Sequence, residues 1–341
     1  MVDIHPSSVL ETSWVASHDY INRHSERYWV DMESGSRTTV FILSYNRPET
    51  LKEAVNSLLD QSLLPDKIVI LDNCSSPENM KKIMNLSGSR VTVVPAEINH
   101  SSTWNINRAI TYANNLYNNE YIYIMHDDDR VLPKFIEIII SLLDGHPEAS
   151  AAYPNGYTMD KTGNRTGKVG KEEDEGYGIL GNQKDVSLSY ARGHSIPFPF
   201  VVYRNECLQR MVIDVDLGIL IDVAFICSIA AEGSILRSHI RLTEYRVHGN
   251  QESSQIDEGL LDRRDDFLIS IVANDAHYRS LVERNLGIRK AERLLKSVLS
   301  HHMIGYGLDW GSVLTLYKKR RVRLRYVPIV VLWMIKRRIE A

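Results

Sequence analysis

Tyr121-Ile-Tyr-Ile-Met-His-Asp-Asp-Asp-Arg-Val-Leu-Pro133 is an apolar run that ends abruptly in three consecutive acids. Residues 121 to 125 are β-branched, aromatic and few, the pattern of a buried strand. Asp127, Asp128 and Asp129 then fall at its carboxyl end, which in an open α/β sheet is the edge where ligands bind. Two carboxylates about 4 Å apart repel by roughly 4 kcal/mol at an effective dielectric near 20, and a third adds to that. A cation relieves the repulsion. Oxygen ligands suit Mg²⁺ or Mn²⁺, whose remaining positions are commonly filled by water and substrate phosphates. This chemistry expects a nucleoside diphosphate. The competing reading of the same residues is an acidic turn that caps a helix beginning near Pro133.

Upstream, Thr38-Thr-Val-Phe-Ile-Leu-Ser-Tyr45 reads as a buried strand, and Asn46-Arg-Pro-Glu leads into a helix with Leu51, Ala54, Val55, Leu58 and Leu59 at helical spacing. The pattern recurs: a strand over 67–73, a helix after Pro77 as far as Leu86, a strand over 91–94, and a helix over 102–117. The strand leading to the acids comes next, then a helix over 133–143. Strands alternating with helices predict an α/β fold, a mainly parallel sheet flanked by helices. Three strand ends then present Ser44 to Asn46, Asp72 with Asn73, and His126 to Asp129 on one edge. The turn after the first strand holds no Gly-x-Gly-x-x-Gly, and no Walker A loop occurs, so phosphates must be neutralised by metal and basic side chains.

Downstream of Ala149 the alternation stops. Residues 160–178 are rich in charge and glycine and read as a surface segment, a lid or a linker. Residues 192–203 read as a bend followed by a strand. Residues 217–231 read as a buried helix carrying one ionisable residue, Asp222. A carboxylate in apolar surroundings is costly unless it is paired, caps a helix or faces a cavity, and its pKa can rise enough to make it a base. Residues 242–253 read as a strand entering a polar loop with His248, a metal ligand, a phosphate partner or a structural histidine. From Ile256 the pattern is helical, a C-terminal extension. The expected organisation is an N-terminal extension over 1–36, a main domain over 37–253 in halves 37–150 and 151–253, and a helical region over 254–341.

Composition narrows the classes. The 341 residues hold 40 basic and 43 acidic side chains for a formal charge of -3, so no overall bias towards nucleic acid exists. The three cysteines, Cys74, Cys207 and Cys227, form no CxxC pattern, and the first residues lack a signal-peptide pattern, so a reducing, cytoplasmic setting is the default expectation. Tyr326 to Ile335 is an apolar run of ten residues between basic flanks. It is too short to span a bilayer, which takes about 20 residues as a helix. Residues 318–341 therefore read either as a peripheral contact with an anionic membrane surface, at its inner face, or as a terminal helix packed on the domain.

Taken together, the ordered motifs resemble the family 2 glycosyltransferases of GT-A-type fold, across approximately residues 37 to 253. They are Phe41-Ile-Leu-Ser-Tyr-Asn-Arg-Pro-Glu-Thr-Leu, Ser57-Leu-Leu-Asp-Gln with Ile68-Val-Ile-Leu-Asp-Asn-Cys-Ser, Asn99 with Asn105-Ile-Asn-Arg-Ala, His126-Asp-Asp-Asp, Leu220-Ile-Asp222, and Tyr245-Arg-Val-His-Gly-Asn-Gln-Glu-Ser. Each is weak alone; six in order are strong. His126 and Ile221 depart from the family, standing where it often has acids. The resemblance implies Ser44 and Asp72 on the nucleotide base, Asp127 on the ribose, and Asn46, Arg47 and Asn107 in the donor site. It implies Asp128 as the main metal ligand, Asp129 in support, His248 near the metal or diphosphate, and Asp222 as the catalytic base of an inverting transfer. Mn²⁺ or Mg²⁺, a nucleotide-sugar donor with UDP favoured, and a glycan or lipid-linked acceptor in surface polysaccharide assembly follow as expectations. Nucleotidyl transfer and a non-catalytic carbohydrate-binding module on the same fold are the alternatives.

Overall fold

The computed structural model describes residues 37–115, 119–170, 176–209, 211, 221–249 and 256–303, with backbone alone over 294–303. These residues divide into two compact units, one within Met1–Gln183 and Ile196–Asp257, the other within Lys184–Ser195 and Glu258–Ala341. The N-terminal extension and the basic, apolar segment 318–341 lie outside the described residues. No helix among the described residues is long and apolar enough to cross a membrane.

The first unit opens with β1 (Thr38–Ser44), α1 (Pro48–Leu59), β2 (Lys67–Asp72), α2 (Pro77–Met84), β3 (Val91–Pro95), α3 (Ser102–Asn114), β4 (Tyr121–His126), β5 (Arg130–Val131) and α4 (Phe135–Asp144). β1 is buried at every position because it is central, paired in parallel with β2 on one side and β4 on the other. A central parallel strand is covered on both faces, which is why its sequence is continuously apolar rather than alternating. α1 starts on Pro48 and buries Leu51, Ala54, Val55 and Leu58, one stripe at helical spacing. Ser76 and Ser101 cap α2 and α3 by accepting from the Asn79 and Trp104 amides. The helix after the acids starts at Phe135 rather than Pro133, and Gln61 Oε1 accepts its Ile136 amide at 3.0 Å.

The unit continues through β6 (Ala149–Met159), β7 (Arg165–Val169), β8 (Tyr177–Leu180), a single turn of 3-10 helix (Phe198–Phe200), β9 (Val202–Arg204), α6 (Asn205–Leu208), α7 (Ile221–Glu232) and β10 (Ser234–Arg246). Sheet order is β3-β2-β1-β4-β9-β6-β10-β5, with β7 on β6 and β8 on β10. The first four strands are wholly parallel; β9 then enters antiparallel to both β4 and β6. The α/β architecture is as expected, with two corrections. Within residues 160–178, expected as a surface segment, the exposed strand β7 forms and β8 begins. β10 begins at Ser234, not near Leu242, because its apolar residues Ile235 and Leu236 pair with β6.

In the second unit, α5 (Gln183–Ala191), α8 (Glu258–Ile271) and α9 (Ala276–Met303) bury Leu268, Val272, Val282, Leu286 and Ala291. Ser187 donates to the Leu268 carbonyl at 2.8 Å, Tyr278 to Asp185 at 2.6 Å and Lys184 to Asp275 at 2.9 Å.

Candidate active site

Strand register sets the site. Ser44 pairs with Asp72, and Leu43 with His126, so the ends of β1, β2 and β4 lie side by side. The acids occupy the tight turn from β4 to β5, and all are buried, Asp127 at 3%, Asp128 at 7% and Asp129 at 0% exposure. Their partners differ. Asp127 accepts from the Tyr45 amide at 3.0 Å and from Arg47 at 3.2 Å. Asp128 Oδ2 receives Arg47 at 2.9 Å and lies 2.9 Å from His248 Nε2. Asp129 Oδ1 accepts from the Arg246 amide at 2.8 Å, whereas its Oδ2 is buried with no hydrogen-bond partner.

A buried carboxylate oxygen without a donor is an expensive feature. Burial, and then the charge of Asp128, push the Asp127 carboxyl up to about 7, against the Arg47 guanidinium and the Tyr45 amide. The same two causes raise Asp129 well above the usual carboxylate range, with the Arg246 amide opposing them. Arg47 and Arg246 thus balance the three acids only in part. A divalent cation fits what remains: ligand atoms of His126, Asp128 and Asp129 all lie within 4.8 Å of one another.

The turns after β1 and β2 are tied together beside the acids. Asn46 takes a left-handed backbone, φ 54°, a conformation asparagine tolerates better than most residues. Its amide donates to Ser75 Oγ at 2.7 Å, and its Oδ1 accepts from the Ser76 amide at 2.8 Å and Asn79 Nδ2 at 3.1 Å. Asp72, fully buried, accepts from both the amide and the hydroxyl of Ser75. From α3, Arg108 donates to the carbonyls of Asp72, Val94 and Pro95, and Asn105 to that of Leu71. Asn107 is half-buried on the same helix, where its carbonyl accepts from Thr111 at 2.9 Å.

On the other side of β4, ring contacts connect the acids to α7. His126 packs on Phe198 at 6.0 Å between centroids, and Phe225 packs on Phe198 at 5.4 Å and on Tyr203 at 5.2 Å. Asp222 lies three residues before Phe225, hence on the same helix face. It is half-buried in the first turn of α7, and its Oδ1 accepts from the Val223 amide at 2.8 Å. Burial, and then the Asp222 charge, push the Cys227 thiol up to about 12 and raise the Tyr203 phenol as well. Asp222 is therefore an acid that accepts a local backbone bond, close to two buried groups that its charge perturbs.

Residues 39–206 match the family model described as Glycosyl transferase family 2. This stretch belongs to that family. An uncharacterized glycosyltransferase of Methanocaldococcus jannaschii is 24% identical over 181 residues, 52% of this chain and 58% of its own length. An uncharacterized protein of Sinorhizobium fredii is 29% identical over 126 residues, 36% of this chain and 13% of its own length. The chain thus spans less than two thirds of either relative. Among solved structures, S. aureus TarS 1-349 in complex with UDP-GlcNAc is similar with a TM-score of 0.53 and 16% identity, covering 74% of this chain and 70% of that one. The mannosyltransferase PcManGT from Pyrobaculum calidifontis, in complex with GDP-Man and Mn²⁺, gives a TM-score of 0.51 and 15% identity over 96% of both chains. Likeness at these identities establishes the fold, GT-A.

In the first unit, Ser44, Asn46, Arg47, Asp72, the three acids and His248 gather at the carboxyl edge of β1, β2 and β4 and the end of β10. Asp222 lies in the first turn of α7, whose Phe225 packs on Phe198. Sequence reasoning treated His126 only as a departure, yet it belongs to the cluster that can hold a cation. It also gave no role to Asn105, Arg108, Glu53 or Arg246. The spacing Asn105-x-x-Arg108 was a usable signal, because residues three apart share a helix face. Nothing local marks Glu53 and Arg246, which are 193 residues apart.

Proposed function

We infer that this chain transfers a glycosyl group from a nucleoside diphosphate sugar, a UDP-sugar by preference, to a hydroxyl of a glycan or lipid-linked acceptor, with inversion at the anomeric carbon. The observation that carries this reading is the buried Asp128 and Asp129 pair with one unsatisfied oxygen, on the strand edge shared with Ser44 and Asp72. Family membership supports it, as do the UDP-GlcNAc and the GDP-Man with Mn²⁺ in the similar structures.

Ser44, Asn46, Asp72 and Asn107 would hold the nucleoside, with Asp127 on the ribose. Asp128, Asp129 and the histidines His126 and His248 would hold Mn²⁺ or Mg²⁺, which supplies positive charge to the departing diphosphate. Arg47, bonded to Asp127 and Asp128 here, adds a second positive charge at the same place. Asp222 takes the proton from the acceptor hydroxyl as that oxygen bonds to the anomeric carbon. The bond from that carbon to the diphosphate oxygen breaks on the opposite face, its electron pair leaving with the nucleotide. General-base assistance of this type is worth about 10² to 10⁴ in rate. Surface polysaccharide assembly at the inner face of a membrane, with residues 318–341 on anionic lipid, is the setting that fits such an acceptor.

The test is a thermal-shift series of nucleotide sugars with and without Mn²⁺, followed by NMR of the product linkage. A donor that binds only the folded state raises the melting temperature. A UDP-sugar should do so in the presence of Mn²⁺ and give an inverted product. No shift with any nucleotide sugar, with or without metal, rejects the reading.

A further inference from the structure

Arg246 ends β10 and is 2% exposed. Its guanidinium grips main chain. Nε donates to the Asp128 carbonyl at 2.7 Å, and the second guanidinium edge reaches the Lys161 carbonyl at 3.1 Å and that of Asp160 at 3.4 Å. The remaining nitrogen pairs with Glu53 of α1 at 2.6 Å. Its own backbone amide is the donor to Asp129 Oδ1. A single residue therefore fixes the peptide between Asp128 and Asp129 and one oxygen of Asp129, which leaves Asp129 Oδ2 as the open atom.

The contrast with Arg47 is informative. Arg47 touches the carboxylates of Asp127 and Asp128 directly, so it competes with a cation for the same oxygens. Arg246 pairs with Glu53 and donates to carbonyls, so it orders the acids through their main chain while its charge also favours the ionised Asp129. Arginine suits this task because its planar donors are fixed relative to one another; lysine offers one point charge. The neighbouring Arg130 repeats the arrangement, donating to Glu244 at 2.8 Å and to the Gly163 carbonyl at 2.7 Å. Asp160 closes the turn that both arginines grip, accepting from the amides of Thr162 and Asn164.

We propose that Arg246, oriented by Glu53, is a positioning residue for the metal ligands: it sets Asp128 and Asp129 through their main chain, so that cation affinity depends on a guanidinium that never meets the cation. The proposal rests on the metal reading above. Outer partners of metal ligands typically contribute about 10- to 100-fold in affinity.

Mn²⁺ titration of the full chain without donor or acceptor, read by the EPR signal of free Mn²⁺, tests it independently of turnover. Arg246→Lys should raise the Mn²⁺ dissociation constant about tenfold or more, measured at a temperature where the variant is folded, since loss of part of the guanidinium network lowers its melting temperature. Glu53→Gln, at a half-exposed position remote from the reacting atoms, should weaken Mn²⁺ binding in the same direction by a smaller factor. If Arg246→Lys does not fold, Glu53→Gln decides the matter. Parent-like affinity in the folded variants overturns the positioning role and leaves the metal site standing. Absence of Mn²⁺ binding by the parent overturns both.

Discussion

Asp129 in the first unit and Asp265 in the second are both almost wholly inaccessible to water, at 0% and 1% exposure. Asp265 sits among cations: Arg264 at 2.6 Å, Lys290 at 3.6 Å and Arg293 at 3.8 Å. Asp129 sits beside two further acids and receives one backbone amide. Burial is the same; compensation is opposite. The Oδ2 atoms of both acids are buried without a hydrogen bond, but that of Asp265 has Lys290 and Arg293 within 4 Å, so its charge is offset without a ligand and serves the fold. A buried acid left beside like charges is held in a costly state by the rest of the structure, and such states concentrate where a ligand is to be bound.

The comparison breaks most sharply under isosteric neutralisation. Asp129→Asn should lower transfer by about 10² or more through loss of cation binding, with metal-free stability unchanged or raised, because a repulsive charge is removed. Steady-state kinetics with a Mn²⁺ titration checks this. A folded Asp129→Asn variant with parent kinetics would make Asp129 another structural acid. Asp222→Asn belongs with it: turnover should fall by about 10² to 10⁴ while donor affinity and melting temperature stay nearly constant. Loss of activity that tracks loss of stability would instead place Asp222 with Asp265.

Asp265→Asn should do the reverse. It leaves three cations without their shared acid, and breaking such a buried cluster costs about 3 kcal/mol. Urea unfolding of the variant should show that loss, with Mn²⁺ affinity unaltered; equal stability would sink the distinction drawn here.

The smallest expected effect is on pH. The Asp127 carboxyl titrates near 7 in the folded protein, against an ordinary value of 3.8, and Asp129 is raised as well. The unfolded chain releases these protons first. Their contribution to stability is therefore full below a pH of about 4 and is lost as pH rises through about 7. Metal-free protein should melt at progressively lower temperature across that window, so far as these groups are concerned. Saturating Mn²⁺ should abolish or invert the trend, since cation binding favours the ionised acids. Melting curves at several pH values, with Mn²⁺ and with EDTA, measure both, and an identical slope in the two series would remove the cation from the explanation.

Much of the donor edge was legible because parallel strands write it into consecutive residues. A fully buried strand needs an unbroken apolar run, and its end is marked where polar residues resume, as at Ser44, Asp72 and His126. The strands β7 and β8 were not legible. β7 is exposed along its length, so no alternation of apolar and polar residues announces it, and β6 supplies its pairing. Arg108 could have been suspected from its spacing with Asn105, but its role requires three carbonyls from the ends of β2 and β3.

The sequence by itself determined the order of strands and helices, the edge on which the acids lie and the family to which residues 39–206 belong, because periodicity and strand ends are properties of adjacent residues. Only the tertiary structure decided which acid oxygen is open. Arg47, Arg246 and His248 reach the triplet from 80 to 120 positions away in the chain. Arg47 takes one oxygen each of Asp127 and Asp128, His248 meets the same Asp128 oxygen, the Arg246 amide takes Oδ1 of Asp129, and Asp129 Oδ2 stays buried without a hydrogen bond. Distances between such residues are set by the packing of α1 and β10 around the sheet, and no local pattern records them.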